Sequence, residues 1–371
     1  MKKPKILVIT GLVAALLVNS GFMNGTHATD QEFVLKEIGH IPVEGYANDI
    51  HAEGNTVYLL DFTEGFLIYD ISELANPTLL GSYVGYNNID PNVKGGKTFF
   101  IRGDQVVVGF MGAGLKIFDI SDPTDLEPVG EYFDGQIYHI KVVDDLVYMA
   151  MAEDGFQIID ISDVTRPTKV GEFNNGNPLF HIHVIGNIAY LRDYGQDKTL
   201  CLDVTDPSNI TEIRQFDWAA YRIAMDDSIG YLCDIARGVL AYNFSDPTEP
   251  IFLDEHYDGG DSSDIVISNN LAFVADLEDG LEILDITNPR NLVEIAQFNN
   301  GGDSRNVFVD GNVAYVSEFE DGLEIIQLWD EEVNSSDSIS SKTNSFELVL
   351  VLLGFLALRV RVIEGRRKKS Y

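Results

Sequence analysis

The chain has 371 residues, 45% of them hydrophobic, with 59 Asp and Glu against 25 Lys and Arg and a formal net charge of −34. That apolar content argues against a disordered chain, despite the high charge. A body this acidic repels phosphate backbones, which argues against nucleic acid as a partner and suits solubility, high salt or cationic ligands.

In chain order, residues 1–28 read as a secretory signal. Lys2, Lys3 and Lys5 form its charged start, residues 6–18 its apolar run, and Thr26-His27-Ala28 a cleavage site. A body over 29–330 follows, and its organising feature is repetition. The phrase "DGLEILDITNPRNLVEIAQF" from Asp279 recurs as "AGLKIFDISDPTDLEPVGEY" from Ala113 and "DGFQIIDISDVTRPTKVGEF" from Asp154. Its glycine falls at Gly65, Gly114, Gly155, Gly238, Gly280 and Gly322, with Lys198 in the equivalent place of one further copy. The steps are 49, 41, 43, 40, 42 and 42 residues, a period that calls for a repeat architecture of seven copies. The longer first step carries an insertion at 85–97.

Each copy holds four short runs rich in β-branched and aromatic residues, punctuated by Gly, Asn-Pro and Asp-Pro. Four strands per repeat, seven times over, predict a seven-bladed β-propeller, an all-β fold. The third runs, such as "LEILDI" at 281–286, are apolar on both faces, as a sheet between two neighbouring blades requires. The seventh copy ends without a fourth strand, while an orphan strand, "FVLKEIGHI" at 33–41, precedes the first. Pairing the two would close the ring and remove an open edge.

The phrase L-x-I-x-D-[I/V]-[S/T]-[D/N]-P resembles the LVIVD repeat of bacterial and archaeal secreted or surface proteins. The resemblance covers about 300 residues, 33–330. It implies a propeller and a surface location, and no particular reaction. Copy four lacks the glycine, copy five has Asn243 for the Asp, and copy seven has Gln327.

The recurring Asp70, Asp119, Asp160, Asp203 and Asp285 precede Ser or Thr and a turn. A residue present in nearly every blade serves the blade, by accepting backbone N–H bonds. Function is expected where copies differ. The residues opening the innermost strands give a candidate ligand-binding set at the channel mouth: Asp49, His139, His181, Arg222, Asp264 and Asn306, with Thr98 in blade 2. The residues ending the second strands give a candidate metal set on the same face: Asp61, Asp193, Asp234, Asp276 and Glu318, with Phe110 and Met151 in the other two blades. Carboxylates suit Ca²⁺, and His139 and His181 with a carboxylate would suit Zn²⁺ or a similar metal. The loop 258–264, "DGGDSSD", adds carboxylates without a known calcium-loop spacing.

Cys201 and Cys233 fall on apolar repeat positions and are expected as buried thiols. No nucleophile elbow, zinc-protease helix, dinucleotide fingerprint or P-loop occurs in the sequence. Beyond the body, 331–345 is a Ser-rich spacer. Residues 346–363 are expected as a hydrophobic helix, either a transmembrane anchor or a sorting signal, and 364–371 as a basic cytoplasmic tail. The tail is similar to archaeosortase-type sorting signals, with "NSFEL" at 344–348 where those carry Pro-Gly-Phe. The expected function is a non-catalytic cell-surface scaffold or recognition module, exported and membrane-anchored, that binds an extracellular protein, a glycan or a cation. The alternative is a secreted hydrolase or lyase with its site at the channel mouth.

Overall fold

The computed structural model describes residues 8–9, 33–43, 45–84, 95–319, 321–330, 345–352 and 356–363. Seven antiparallel sheets form seven blades, spanning 47–83, 96–132, 139–173, 179–216, 220–256, 264–298 and 304–330. In blade 6 the strands run Asp264–Ser268, Leu271–Asp276, Gly280–Asp285 and Val293–Phe298, from the innermost outward, and each pairs with the next. Blade 7 takes its outer strand from the other end of the chain: Phe33–Ile41 pairs antiparallel with Gly322–Asp330. The expected closure is therefore formed.

The core lies between blades. Seven hydrophobic clusters each join one pair of neighbours, including blade 7 with blade 1 through Leu323, Ile325, Leu59 and Leu67. Third strands supply both faces: Leu281, Ile283 and Leu284 are all buried, at about 1.5–3 kcal/mol for each such side chain removed from water.

Two local devices explain the repeat. The glycine that opens the third strand sits at positive φ, +87° at Gly65 and +88° at Gly280, where a Cβ would meet the outer strand's carbonyl at 2.2 Å. In blade 4, where Lys198 replaces that glycine, the positive φ moves back one residue to Asp197. The phrase's aspartates are turn caps. Asp70, Asp119, Asp160, Asp203 and Asp285 each accept the backbone N–H two residues on, and Asn243 does the same in blade 5. Hydrogen bonds from the Ser or Thr hydroxyl two residues on, together with these N–H groups, hold the Asp119, Asp160 and Asp203 carboxyls below their usual range, and the Ser72 N–H does most of this at Asp70.

Cys201 and Cys233 are free and fully buried, and burial pushes both thiols upward in pKa. The expected C-terminal helix is corrected. Ser345–Leu352 and Leu356–Ile363 form a two-stranded antiparallel hairpin. The alternation in "LALRVRVI" has the period of a strand, and its two arginines interrupt the apolar run. Among the described residues no helix is long and apolar enough to cross a membrane. The expected signal segment lies outside the described residues except for Val8–Ile9, which pairs with Phe33 and Val34. The spacer up to residue 344 and the tail 364–371 also lie outside them.

Candidate functional site

The innermost strands surround the axis, and at one end they open into a cavity of about 530 Å³. In five blades the inner strand enters through a bulge, with the register slipping between Ala47 and Asp49, Gly96 and Thr98, Leu179 and Ile182, Ala220 and Arg222, and Ser304 and Asn306. A bulge gives one strand an extra residue and re-aims its side chain. The residue just before each inner strand's candidate position, bulged or not, lines the cavity in all seven blades: Asn48, Lys97, Tyr138, Phe180, Tyr221, Ser263 and Arg305.

The lining is two-sided. Blades 3, 4 and 5 supply Tyr138, Phe180, Tyr194 and Tyr221. Tyr138 meets Phe180 edge-on at 4.7 Å, Phe180 meets Tyr194 at 5.2 Å, and the Tyr221 ring lies 4.8 Å from His181. Blades 7, 1 and 2 supply Arg305, Asn48 and Lys97. Lys97 has no carboxylate partner among the described residues, and burial together with Arg305 lowers its ammonium pKa. Arg305 stacks on Phe319 at 3.8 Å and reaches Asp303 only at 3.6 Å. Among the described residues no carboxylate lines the cavity, although the chain carries 59 acids.

Beneath this rim the candidate ligand-binding residues gather around Arg222. Its Nε pairs with Asp264 Oδ1 at 3.0 Å, one Nη donates to Asn306 Oδ1 at 3.0 Å, and the other contacts His139 Nε2. His139, His181, Arg222 and Asn306 reach the cavity wall. Asp49 and Asp264 do not; they brace neighbouring inner strands, accepting the N–H of Phe99 at 2.9 Å and of Val307 at 3.0 Å. Burial pushes Asp49 up to about 6, with Arg222 opposing the shift. Burial and Arg222 hold His139, His181 and His183 far below the usual imidazole range, so all three are neutral at pH 7. His181 Nδ1 is buried without a partner at this wall. Thr98 is buried.

The candidate metal residues do not assemble into one ring. All five are buried, each at the base of its own blade's loops. Asp61 accepts the N–H groups of Thr63 and Glu64, Asp234 those of Ala219 and Ala236, and Asp193 the side-chain amides of Asn175 and Asn177. Glu318 accepts the Ser304 hydroxyl. Asp193 and Asp234 staple the turn after the second strand to the loop before the first, Asp61 caps that turn and Glu318 ties the second strand to the start of the first, roles that need no ion. Asp276 is the exception, with Asp258 and Glu282 beside it.

Sequence reasoning thus found the depth of the channel and missed its rim by one residue. The signal was present, since Asn, Lys, Tyr, Phe, Tyr, Ser and Arg differ more between copies than the residues that follow them. Reading it required knowing that the strand entrance is bulged.

Among solved structures, the computationally designed Ika8 protein is 10% identical, with a TM-score of 0.56, covering 78% of this chain and 99% of that one. The WD40 β-propeller domain of Doa1 is 10% identical, with a TM-score of 0.59, covering 78% and 94%. These likenesses show the fold alone. No curated protein matches the chain. A profile of the LVIVD repeat matches residues 44–84, 99–134, 134–175, 259–300 and 301–328, just over half of the chain. The unmatched stretch spans blades 4 and 5, where Lys198 and Asn243 depart from the phrase. A ring of such repeats is consistent with a binding or scaffold role. The chain belongs to the LVIVD repeat family.

Proposed function

We propose that this propeller is a recognition module whose channel-mouth cavity binds an acidic sugar, outside the cell and tethered by its C-terminal segment. The observation that carries the reading is the two-sided lining: Lys97 and Arg305, with no carboxylate among the described lining residues, opposite Tyr138, Phe180 and Tyr221. In a chain of net charge −34, a cationic wall needs a specific reason. A ligand carboxylate would relieve the repulsion between Lys97 and Arg305, and aromatic faces would take the apolar face of a pyranose ring. Cavities of roughly 300–1,000 Å³ suit ligands of one to a few rings. The cation expected at this mouth fits such a wall poorly.

Calorimetric titration with uronate oligosaccharides and with their neutral counterparts tests the reading. Uronates should bind, Lys97→Ala and Arg305→Ala should each weaken binding at least tenfold, and neutral sugars should bind far more weakly. Equal binding of both sugars, or of neither, refutes the proposal. Turnover of the bound sugar would replace recognition with the hydrolase or lyase alternative.

A further inference from the structure

A separate set of groups lies on blade 6. Asp258 stands on the loop entering the blade, Asp276 ends its second strand, and Glu282 lies near the start of its third. One carboxylate oxygen from each lies within 4.8 Å of the other two. Asp258 is exposed, whereas Asp276 and Glu282 are 2% and 1% exposed. The loop can approach this closely because residue 260 is glycine; a Cβ there would meet both Asp276 oxygens at 2.5 Å.

Two of these buried acids are left incomplete. Asp276 Oδ1 and Glu282 Oε1 are fully enclosed and have no hydrogen-bond partner. A buried carboxylate oxygen without a donor is strongly unfavourable. Two other blades place an amide at this corner. Blade 7 repeats the loop as "NGGDS" at 300–304 against "DGGDS" at 258–262, and there the Asn300 amide donates to one Glu324 oxygen, while Glu318 Oε2 and Glu324 Oε2 stay without a partner. In blade 3 the amide of Gln157, on the third strand, donates to Asp134 Oδ2 at 3.0 Å. Blade 6 has a carboxylate at all three places.

We propose that Asp258, Asp276 and Glu282 form a divalent-cation site that takes a hard, oxygen-preferring ion such as Ca²⁺. Oxygens bound to one Ca²⁺ at roughly 2.3–2.6 Å lie no more than about 5 Å apart, which the trio already satisfies. Water completes the shell from the exposed Asp258 side. Of the five acids singled out in the sequence as metal ligands, Asp276 alone takes part.

The test uses the full chain, stripped with chelator and titrated calorimetrically with CaCl₂. Asp258→Asn copies blade 7 and keeps the side chain's size. Asp227→Asn, on an exposed turn elsewhere, controls for the loss of one charge from a very acidic protein. The wild type and Asp227→Asn should each take up one ion at the site. Asp258→Asn should bind at least tenfold more weakly while its metal-free thermal midpoint stays level or rises. Two results overturn the site: no saturable uptake by the wild type, or uptake in Asp258→Asn equal to that of the wild type.

Discussion

Arg222 Nε of blade 5 lies 3.0 Å from Asp264 Oδ1 of blade 6, beneath the cavity floor, and the same guanidinium reaches Asn306 of blade 7 and His139 of blade 3. One side chain thus links four blades across the axis. Both partners are largely buried, so removing the cation leaves Asp264, and Asp49 near it, without a counter-charge. Arg222→Ala should cost about 3–5 kcal/mol in urea unfolding. Adding Asp264→Asn to that variant should recover part of the loss, because the orphaned charge is then gone. Additive costs in the double-mutant cycle would show that the pair is not coupled.

Stability should peak a little above pH 6. Asp49, Glu318 and Glu324 have folded-state pKa values raised by burial to about 6, 7 and 8. Groups raised in this way favour the fold below their unfolded values, and that contribution is lost as pH climbs through the folded values. Weaker repulsion among the many acids adds to the same trend, since acidification lowers the net negative charge. The histidines act oppositely. His183, held near 3, and the likewise depressed His139 and His181 stabilise the fold above about 6.5 and cease to do so as pH falls. Metal-free thermal midpoints should rise from pH 8 to about 6.5 and fall at lower pH. Glu324→Gln should flatten the upper limb. A midpoint that climbs steadily from pH 6 to 8 contradicts the assignment.

Most of the fold was legible because it repeats. A single copy of "GLEILD" could be read as a short buried strand or as a piece of helix, but seven at a common spacing leave one architecture. The orphan strand at 33–41 was legible for the same reason, since Gly39 aligns with Gly81, Gly130 and Gly171 of the first three outer strands. The depth of the site followed from register: Asp49, His139, Arg222 and Asn306 occupy equivalent ladder positions. The rim did not follow, because a bulge adds a residue without leaving a period in the sequence. The roles of the second-strand acids were also hidden, because Asp193 and Asp61 are defined by loop donors that no pattern specifies. The tail was misread because a short apolar run does not separate helix from strand, and the alternating Arg359 and Arg361 carried more weight than its hydropathy.

The propeller should fold without the C-terminal segment. Phe33–Ile41 pairs with a strand that ends at Asp330, so all seven blades are complete before the spacer. Truncation after Asp330 should leave the thermal midpoint within about 2 °C of the full chain. In cells, the full chain should be degraded by protease added outside, and the truncated chain should be released to the medium. A protease-protected body would rule out export, and a lowered midpoint would mean that residues 331–371 contribute to the fold.

Gly39 gives the sharpest test of how the ring closes. It lies on the closing strand, where a Cβ would meet the Leu74 carbonyl oxygen of blade 1 at 2.0 Å. Gly81, Gly130 and Gly171 stand in the same relation to the next blade's turn, with clearances of 1.8, 1.7 and 2.2 Å. In blade 4 Arg214 takes this position and donates to the Thr248 carbonyl, and in blade 5 Asp254 accepts the Leu292 N–H, so side chains replace the close backbone approach. Gly39→Val should therefore push blade 1 from the closing strand and cost roughly 1–3 kcal/mol, as overpacking of a tight contact does. Deleting Phe33–Ile41 should cost far more, because it also exposes the edge of Gly322–Asp330 and invites association through it. Light scattering and urea unfolding read both effects. A Gly39→Val chain as stable as the wild type, or a deletion that stays monomeric with an unchanged midpoint, would mean that the ring is held shut by something other than this strand.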